Sequence, residues 1–344
     1  MRYEGRYAVF DPSQIKTYPL AGRPNKVTLM DLVDPARVAQ TVYPVPADQA
    51  RLIDQVGEWV VSARRSRQPV VLITGAHLIK NGLGPLVIDL VERDVVTLVA
   101  TNGAGAIHDF ELALVGQTSE HVPNALPAGR FGMAYEFAYI NEAINVGHAM
   151  HLGYGESLGR MICDEAFRRR VLDRIGRADS PRSFEQAHVS LLACTYRRGV
   201  PLTVHASIGT DVIDQHANFD PAAKGGTSGY DFLIFAQHMT GFTRGGVVLN
   251  VGSAVTGPEV LLKAVGMAAN VGQAPRGLLT ADFDLRPYDP TVMTDESSAG
   301  YYYRDQKSIV TRIPQAFGGR GVYVQGDQRV TVPVLYQAVL RRLG

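Results

Sequence analysis

Six short apolar runs recur along this chain, and they constrain its fold more than any other feature. The first of them is rich in β-branched residues, and each is followed by small, hydroxyl-bearing or acidic residues. Continuous apolar runs of this length are typical of strands buried on both faces, as in a parallel sheet. The runs are 69–74 (PVVLIT), 95–101 (VVTLVAT), 201–206 (PLTVHA), 245–252 (GGVVLNVG), 276–283 (RGLLTADF) and 321–326 (GVYVQG).

Helical patterns lie between these runs. We predict helices over 47–67, 83–94, 181–198, 229–240 and 258–270, and a polar, mostly helical region over about 120–180. Alternating strands and helices predict an α/β fold, a Rossmann-like parallel sheet flanked by helices. Residues 1–45 are rich in proline and turn residues and are interpreted as an arm. Residues 46–344 are interpreted as one α/β nucleotide-binding catalytic domain.

Composition excludes several functional classes. The 344 residues carry a net charge of +1, with no basic run to neutralise nucleic-acid phosphates. Two cysteines in a chain of this length favour a reducing compartment without a disulfide framework. No apolar run reaches the roughly 18 residues of a spanning helix, and the N-terminus has no signal-peptide core. We expect a soluble, cytoplasmic protein that binds neither nucleic acid nor a membrane.

The residues after the strands are candidates for ligand binding, because open α/β sheets bind ligands beyond the carboxyl ends of their strands. The clearest case is the stretch VATNGAGAIHDFEL over 99–112. Its Asn-Gly-Ala-Gly turn is either a plain strand-to-helix turn or a turn whose backbone approaches a phosphate or ribose. Neither the G-x-G-x-x-G fingerprint after the first strand nor a P-loop is present.

The ionisable candidates each have a simpler structural interpretation. His108 contacts a nucleotide or caps its helix, and Glu259 has a functional role or complements a helix dipole. The segment 205–216 holds His205, Asp211, Asp214 and His216, but its spacing matches no common zinc pattern, so we predict no metal. Lys307 becomes a candidate nucleophile only if it is buried.

Five motifs in order over about 70–335 resemble the deoxyhypusine synthase family. The segment GAHLIKNGLGPLVIDLVERDVVTLVATNGAGAIHDFELAL is similar to that family's cofactor-binding segment. The stretches VPLTVHASIGTDVIDQH, VVLNVGSAV, LLTADFD and QGDQRVTVP resemble its later motifs.

The resemblance implies an NAD-dependent transferase and a homotetramer with sites between subunits. In that chemistry a hydride leaves the carbon bearing a secondary amine, a lysine receives the aminobutyl group, and the hydride returns. The implied catalytic residues are Lys307, Glu259 and Asp211, and the implied amine-binding residues are Asp214, His216, Asp295 and Glu296. The implied NAD contacts are Ala76, His77, Asn102, Gly103, Gly105, His108, Asp211, Gly252, Ser253, Thr280, Ala281 and Asp327.

This chain departs from the family around the lysine. Asp305 and Gln306 precede Lys307 where the family has a Trp-Gly pair, and Glu259 stands where the family has a histidine. We therefore expect NAD-dependent chemistry on a polyamine or related amine, without deoxyhypusine synthesis on a protein. A pocket lined by Asp211, Asp214, Glu259, Asp295 and Glu296 could hold the amine. The alternatives are an NAD-dependent lyase or hydrolase, with Glu259 as an acid/base whose pKa burial raises, and a non-catalytic NAD-binding protein.

Overall fold

A computed structural model describes residues 3–177, 183–293 and 295–344. The strands in these ranges are β1 (Asn25–Thr28), β2 (Val70–Thr74), β3 (Leu98–Asn102), β4 (Gln117–Glu120), β5 (Leu202–His205), β6 (Gly246–Val251), β7 (Leu278–Asp284) and β8 (Arg320–Gln325). The helices are α1 (Pro35–Val38), α2 (Ala47–Arg65), α3 (His77–Lys80), α4 (Gly84–Glu92), α5 (Gly103–Val115), α6 (Val122–Ala125), α7 (Phe137–Ala149), α8 (Tyr154–Cys163), α9 (Glu165–Ile175), α10 (Leu191–Arg198), α11 (Pro221–Met239), α12 (Thr256–Asn270), α13 (Ile313–Ala316) and α14 (Gln328–Leu343). A π-helix, Gln306–Arg312, precedes α13.

The central sheet has six parallel strands in the order β5-β3-β2-β6-β7-β8. The chain builds one half outward from β2 through β3 to β5, then returns to β6 on the other side of β2. This is the strand order of a dinucleotide-binding Rossmann sheet, and its direction reverses between β2 and β6. The predicted α/β fold is confirmed.

Helices cover both faces of the sheet, since alternate side chains of each strand point in opposite directions. Leu72 and Leu249 belong to one core, which includes Trp59 of α2 and Leu335 of α14. Val71 and Val248 belong to the other core, with residues of α11, α12 and the π-helix. Burial on both faces explains why the strands read as continuous apolar runs.

The N-terminal segment packs onto the body through a second, two-stranded sheet in which β1 pairs antiparallel with β4. The guanidinium of Arg23 lies 2.5 Å from Glu111 Oε1 and 3.7 Å from Glu120 Oε2, and its side chain is 3% exposed. A buried ion pair therefore fixes this segment against α5.

Three element predictions need correction. The strand predicted over 276–283 covers Leu278–Asp284, so Thr280 and Ala281 lie inside it and not in a turn after its end. The helix predicted over 181–198 begins only at Leu191, where Ser190 caps it, and residues 181 and 182 lie outside the described ranges. The helix predicted over 229–240 begins already at Pro221, where Asp220 caps it. The π-helix at Gln306–Arg312 was not predicted.

Cys163 and Cys194 are both free thiols. Among the described residues, no helix is both long and apolar enough to cross a membrane.

Candidate functional site at the carboxyl edge of the sheet

The turns after β2 and β6 meet where the strand order reverses. Gly75 N–H donates to the Val251 carbonyl at 3.3 Å, and Gly252 N–H donates to the Phe283 carbonyl at 3.1 Å. A Cβ at Gly75 would collide with the Gly252 carbonyl oxygen, and Gly252 has φ +63°, which favours glycine. Ser253 Oγ accepts from Gly257 N–H at 3.0 Å in the first turn of α12. The two turns therefore bring two glycine residues, which have no side chains, together beside the start of α12.

The turn after β2 remains accessible. Ala76 is half-buried and His77 is exposed at the start of α3. Partial burial lowers the pKa of His77, and Lys80 and His108 lower it further. A ligand at the crevice between β2 and β6 could reach both residues.

The turn after β3 is occupied by the protein's own side chains. Asn102 Oδ1 accepts from Gly105 N–H at 2.8 Å and so caps α5. A Cβ at Gly103 would collide with the carboxylate of Asp211. Packing against Asp211 therefore already requires glycine at position 103, with no bound nucleotide. Contact of Asn102, Gly103 and Gly105 with NAD remains a prediction.

His108 does not cap α5, because it lies in the second turn of that helix. Its Nδ1 lies 2.7 Å from Thr118 Oγ1 and 3.3 Å from Glu111 Oε2. These contacts tie α5 to β4.

Asp211 and Asp214 share a buried cation that sequence analysis missed, Lys224. Its Nζ lies 2.8 Å from Asp211 Oδ2 and 2.6 Å from Asp214 Oδ1, and the lysine side chain is 1% exposed. It also donates to the Ser207 carbonyl at 3.1 Å. Burial raises the pKa of Asp211, and Lys224 opposes that rise. A lysine in the first turn of α11 opposes the helix dipole, and this was the signal available in the sequence.

The other three predicted amine-binding residues are engaged within the protein. His216 Nε2 lies 2.9 Å from the Gly132 carbonyl, and its ring packs edge-on against Phe137. Asp295 accepts from Ser297 Oγ at 2.7 Å, and Glu296 accepts from the Tyr301 hydroxyl at 2.9 Å.

Thr280, Ala281 and Asp327 each have a structural role. Thr280 Oγ donates to the Ile309 carbonyl at 2.5 Å, and Ala281 is fully buried in a core. Asp327 caps α14 and pairs with Arg329, whose hydrogen bonds lower the pKa of Asp327. Asp327 also lines a cavity beyond the end of β8, between 44–49 and α14.

Lys307 is buried on the π-helix, with 5% of its surface exposed. Its Nζ lies over the ring of Tyr301, 2.7 Å from the ring centroid. In the described part of the chain it forms no ion pair, unlike Lys224. This burial meets the condition set from the sequence for a candidate nucleophile.

Glu259 does not fit the role of a general acid whose pKa burial raises. Its side chain is 32% exposed, forms an ion pair with Lys263 and lies 3.6 Å from Arg304. The hydrogen bond from Lys263 lowers the pKa of Glu259. That expectation was wrong because the start of α12 is open to solvent and rich in cations.

Within residues 3–177, 183–293 and 295–344, no three or more His, Cys, Asp or Glu side chains are grouped so that they could hold a metal ion.

No protein family model and no curated protein matches this chain. Several solved structures are similar to it. One is ArgZ, an arginine dihydrolase from the ornithine–ammonia cycle in cyanobacteria, in its apo form; it has a TM-score of 0.48 and 14% identity over 88% of this chain and 33% of that chain. The ternary complex of AgrE with ornithine and NAD+ has a TM-score of 0.46 and 16% identity over 88% of this chain and 34% of that chain.

A protein assigned as a deoxyhypusine synthase from Entamoeba histolytica has a TM-score of 0.40 and 8% identity over 95% of this chain and 97% of that chain. This chain thus spans about a third of the length of ArgZ and AgrE. At these levels of similarity, no activity follows for this chain.

Proposed function

We propose that this protein is an NAD-dependent enzyme that acts on a small amine, and that Lys307 forms a covalent bond to the oxidised substrate. The observation that carries the proposal is the strand order, which reverses between β2 and β6 as in dinucleotide-binding sheets. In such sheets the dinucleotide binds in the crevice at that reversal, where Gly75 and Gly252 meet.

The residues at the crevice fit a dinucleotide. Ala76 is half-buried and His77 is exposed, and Gly252 and Ser253 precede the 15-residue helix α12. The Gln328 amide lies where a side chain at Gly252 would be, and its Oε1 is buried with no hydrogen-bond partner in the described part of the chain. The proposed contacts are therefore Gly75, Ala76, His77, Gly252, Ser253 and Gln328.

Bound NAD would supply a hydride acceptor that can later return the hydride. Lys307 would act next, as a neutral amine that attacks the carbon of the oxidised substrate's imine. Removal of a hydride from a secondary amine gives an iminium cation. The Lys307 nitrogen bonds to its carbon, the bond from that carbon to the original nitrogen breaks, and the original amine leaves with one proton that Lys307 gives up. The aromatic face of Tyr301 beside Nζ would help to keep water away from this exchange.

The cofactor proposal is tested by measuring NAD and NADP released from the denatured protein, and by titrating both into stripped protein. We expect Ala76→Asp to abolish NAD binding, because its carboxylate would repel the pyrophosphate. The matched control Ala76→Ser adds only a hydroxyl and should bind NAD normally. Absence of binding by the unchanged protein, or normal binding by Ala76→Asp, would contradict the proposal.

The lysine proposal is tested with amine substrates in the presence of NAD. We expect Lys307→Arg to lose turnover and keep NAD binding, whereas the exposed control Lys16→Arg keeps both. Turnover by Lys307→Arg would remove the lysine from the mechanism. NAD binding without turnover on a broad amine panel would favour the non-catalytic alternative. The homotetramer also stays a proposal, which light scattering after size-exclusion chromatography would test.

A further inference from the structure

A second group of polar side chains is buried between β6, β7 and the π-helix. Asn250 of β6 lies opposite Asp282 of β7 in the sheet register. Asp305 and Gln306 stand at the start of the π-helix, directly before Lys307. Each of these four residues is at most 1% exposed.

Donors within the protein reach only two of the six side-chain oxygens in this group. Asn250 Nδ2 donates to Asp282 Oδ1 at 2.7 Å, and Arg286 donates to Asp305 Oδ2. Gln306 Nε2 donates to the Pro287 carbonyl at 3.0 Å and to the Tyr323 hydroxyl at 3.2 Å. Every amide hydrogen donor in the group is thus directed at a partner inside the protein.

Four buried oxygen atoms are left without a partner among the described residues: Asn250 Oδ1, Asp282 Oδ2, Asp305 Oδ1 and Gln306 Oε1. Buried polar atoms are nearly always hydrogen-bonded, and an unpaired one is costly. The two amide oxygens are acceptors, and so are the two carboxyl oxygens when Asp282 and Asp305 are ionised, so a ligand that completes the ionised group donates hydrogen bonds.

The charge of the group points to a cation. Asp282, Asp284 and Asp305 lie together, and Arg286 is the cation that they share. Burial raises the pKa of Asp282, and the neighbouring Asp305 raises it further. Burial also raises the pKa of Asp305. A ligand that brings both positive charge and several N–H groups would relieve the repulsion and satisfy the acceptors.

We propose that Asn250, Asp282, Asp305 and Gln306 form a binding site for a primary ammonium group of the substrate. This inference deepens the proposed function, because the site directly precedes Lys307 in the chain. It rests on residues that the sequence resemblance does not supply, since Asp305 and Gln306 replace a Trp-Gly pair. Arg286 is partly exposed and forms an ion pair with Asp305, so its side chain lies between this part of the site and solvent.

The test measures binding of 1,4-diaminobutane to the full-length protein by calorimetry, with 1,4-butanediol as the uncharged probe. We expect the diamine to bind and the diol to bind at least about tenfold more weakly, since hydrogen bonds to charged groups are the stronger ones. Asp282→Asn and Asp305→Asn should each weaken diamine binding about tenfold or more. The exposed control Asp289→Asn should leave diamine binding unchanged.

Stability separates lost binding from misfolding. Asp282→Asn brings its own amide N–H groups to the unpaired acceptors, so we expect its Tm to be equal to or above that of the unchanged protein. Gln306→Met, a neutral replacement of similar size, should also weaken diamine binding. Equal binding of diol and diamine, or full diamine binding by folded Asp282→Asn and Asp305→Asn, would overturn the proposal.

NAD binding is measured on the same samples. Diamine binding that depends on Asp282 and Asp305, in a protein that binds no NAD, would support the ammonium site and contradict the proposed function. If the protein binds NAD but its diamine binding does not depend on Asp282 and Asp305, the proposed function would be supported and the ammonium site contradicted.

Discussion

At the scale of single residues, the same glycine pattern has two different physical causes. Gly252 needs its positive φ, and its turn lies at the reversal of the strand order. Gly103 instead makes room for the Asp211 carboxylate, which Lys224 holds in place. A glycine after a strand therefore indicates close approach of some group, and only the structure identifies that group.

Replacing Gly103 tests this interpretation. A Cβ at this position would collide with Asp211, so we expect Gly103→Ala to lower the free energy of unfolding by about 1–3 kcal/mol. Gly266, exposed in α12 with no atom near its missing Cβ, is the matched control. Gly266→Ala should raise stability by about 0.5–1 kcal/mol. Urea unfolding measures both, and an equal gain from both substitutions would contradict the assignment.

At the scale of elements, one buried carboxyl joins two helices to an edge strand. Asp231 of α11 accepts from Val204 N–H of β5 at 2.7 Å and from Gly155 N–H of α8 at 2.9 Å. Burial raises the pKa of Asp231 to about 7. The carboxyl therefore aligns backbone groups at the edge of the sheet and, with its raised pKa, keeps its proton to a higher pH than an exposed carboxyl does.

This junction predicts a pH dependence of stability. Between about pH 4 and pH 7 the folded protein holds a proton on Asp231 that the unfolded chain releases, so this contribution to stability falls as pH rises. Asp231→Asn keeps an acceptor oxygen and removes the titration. We expect a smaller loss of unfolding free energy from pH 5 to pH 8 in Asp231→Asn than in the unchanged protein.

The exposed Asp289→Asn serves as the control and should keep the original pH dependence. Asp109, whose pKa burial raises to about 6, contributes in the same direction, so the slope should shrink without vanishing. An unchanged slope in Asp231→Asn would show that Asp231 is already ionised at pH 5.

At the scale of the whole molecule, a long-range ion pair fixes the N-terminal segment to the α/β body. The Arg23–Glu111 pair joins residues 88 positions apart and fixes the N-terminal segment to α5. Both side chains are almost fully buried. Breaking such a pair from one side leaves an uncompensated charge in the interior.

We expect Arg23→Leu to lower the free energy of unfolding by about 3–5 kcal/mol, because Glu111 would remain buried without its cation. Limited proteolysis should then cut the N-terminal segment faster. Arg93→Leu removes an exposed i,i+4 pair with Asp89 and should cost less than about 1 kcal/mol. Similar losses in the two variants would mean that Arg23 is not structurally important.

The sequence by itself determined the fold class. Strands buried on both faces must be apolar throughout, and that pattern is readable without coordinates. It also indicated which turns carry small residues, and it identified Lys307 as a candidate nucleophile on the condition that the side chain is buried. The sequence could not determine the strand order, because each strand would be equally buried in several arrangements.

Only the tertiary structure decided how the polar residues are used. It paired Asp211 and Asp214 with Lys224, exposed Glu259 to solvent and buried Lys307 against Tyr301. It also gathered Asn250, Asp282, Asp305 and Gln306, which lie up to 56 positions apart, into one group with four oxygens that have no partner among the described residues. Charge pairing and hydrogen-bond satisfaction depend on distances between side chains from different elements, and no local pattern encodes those distances.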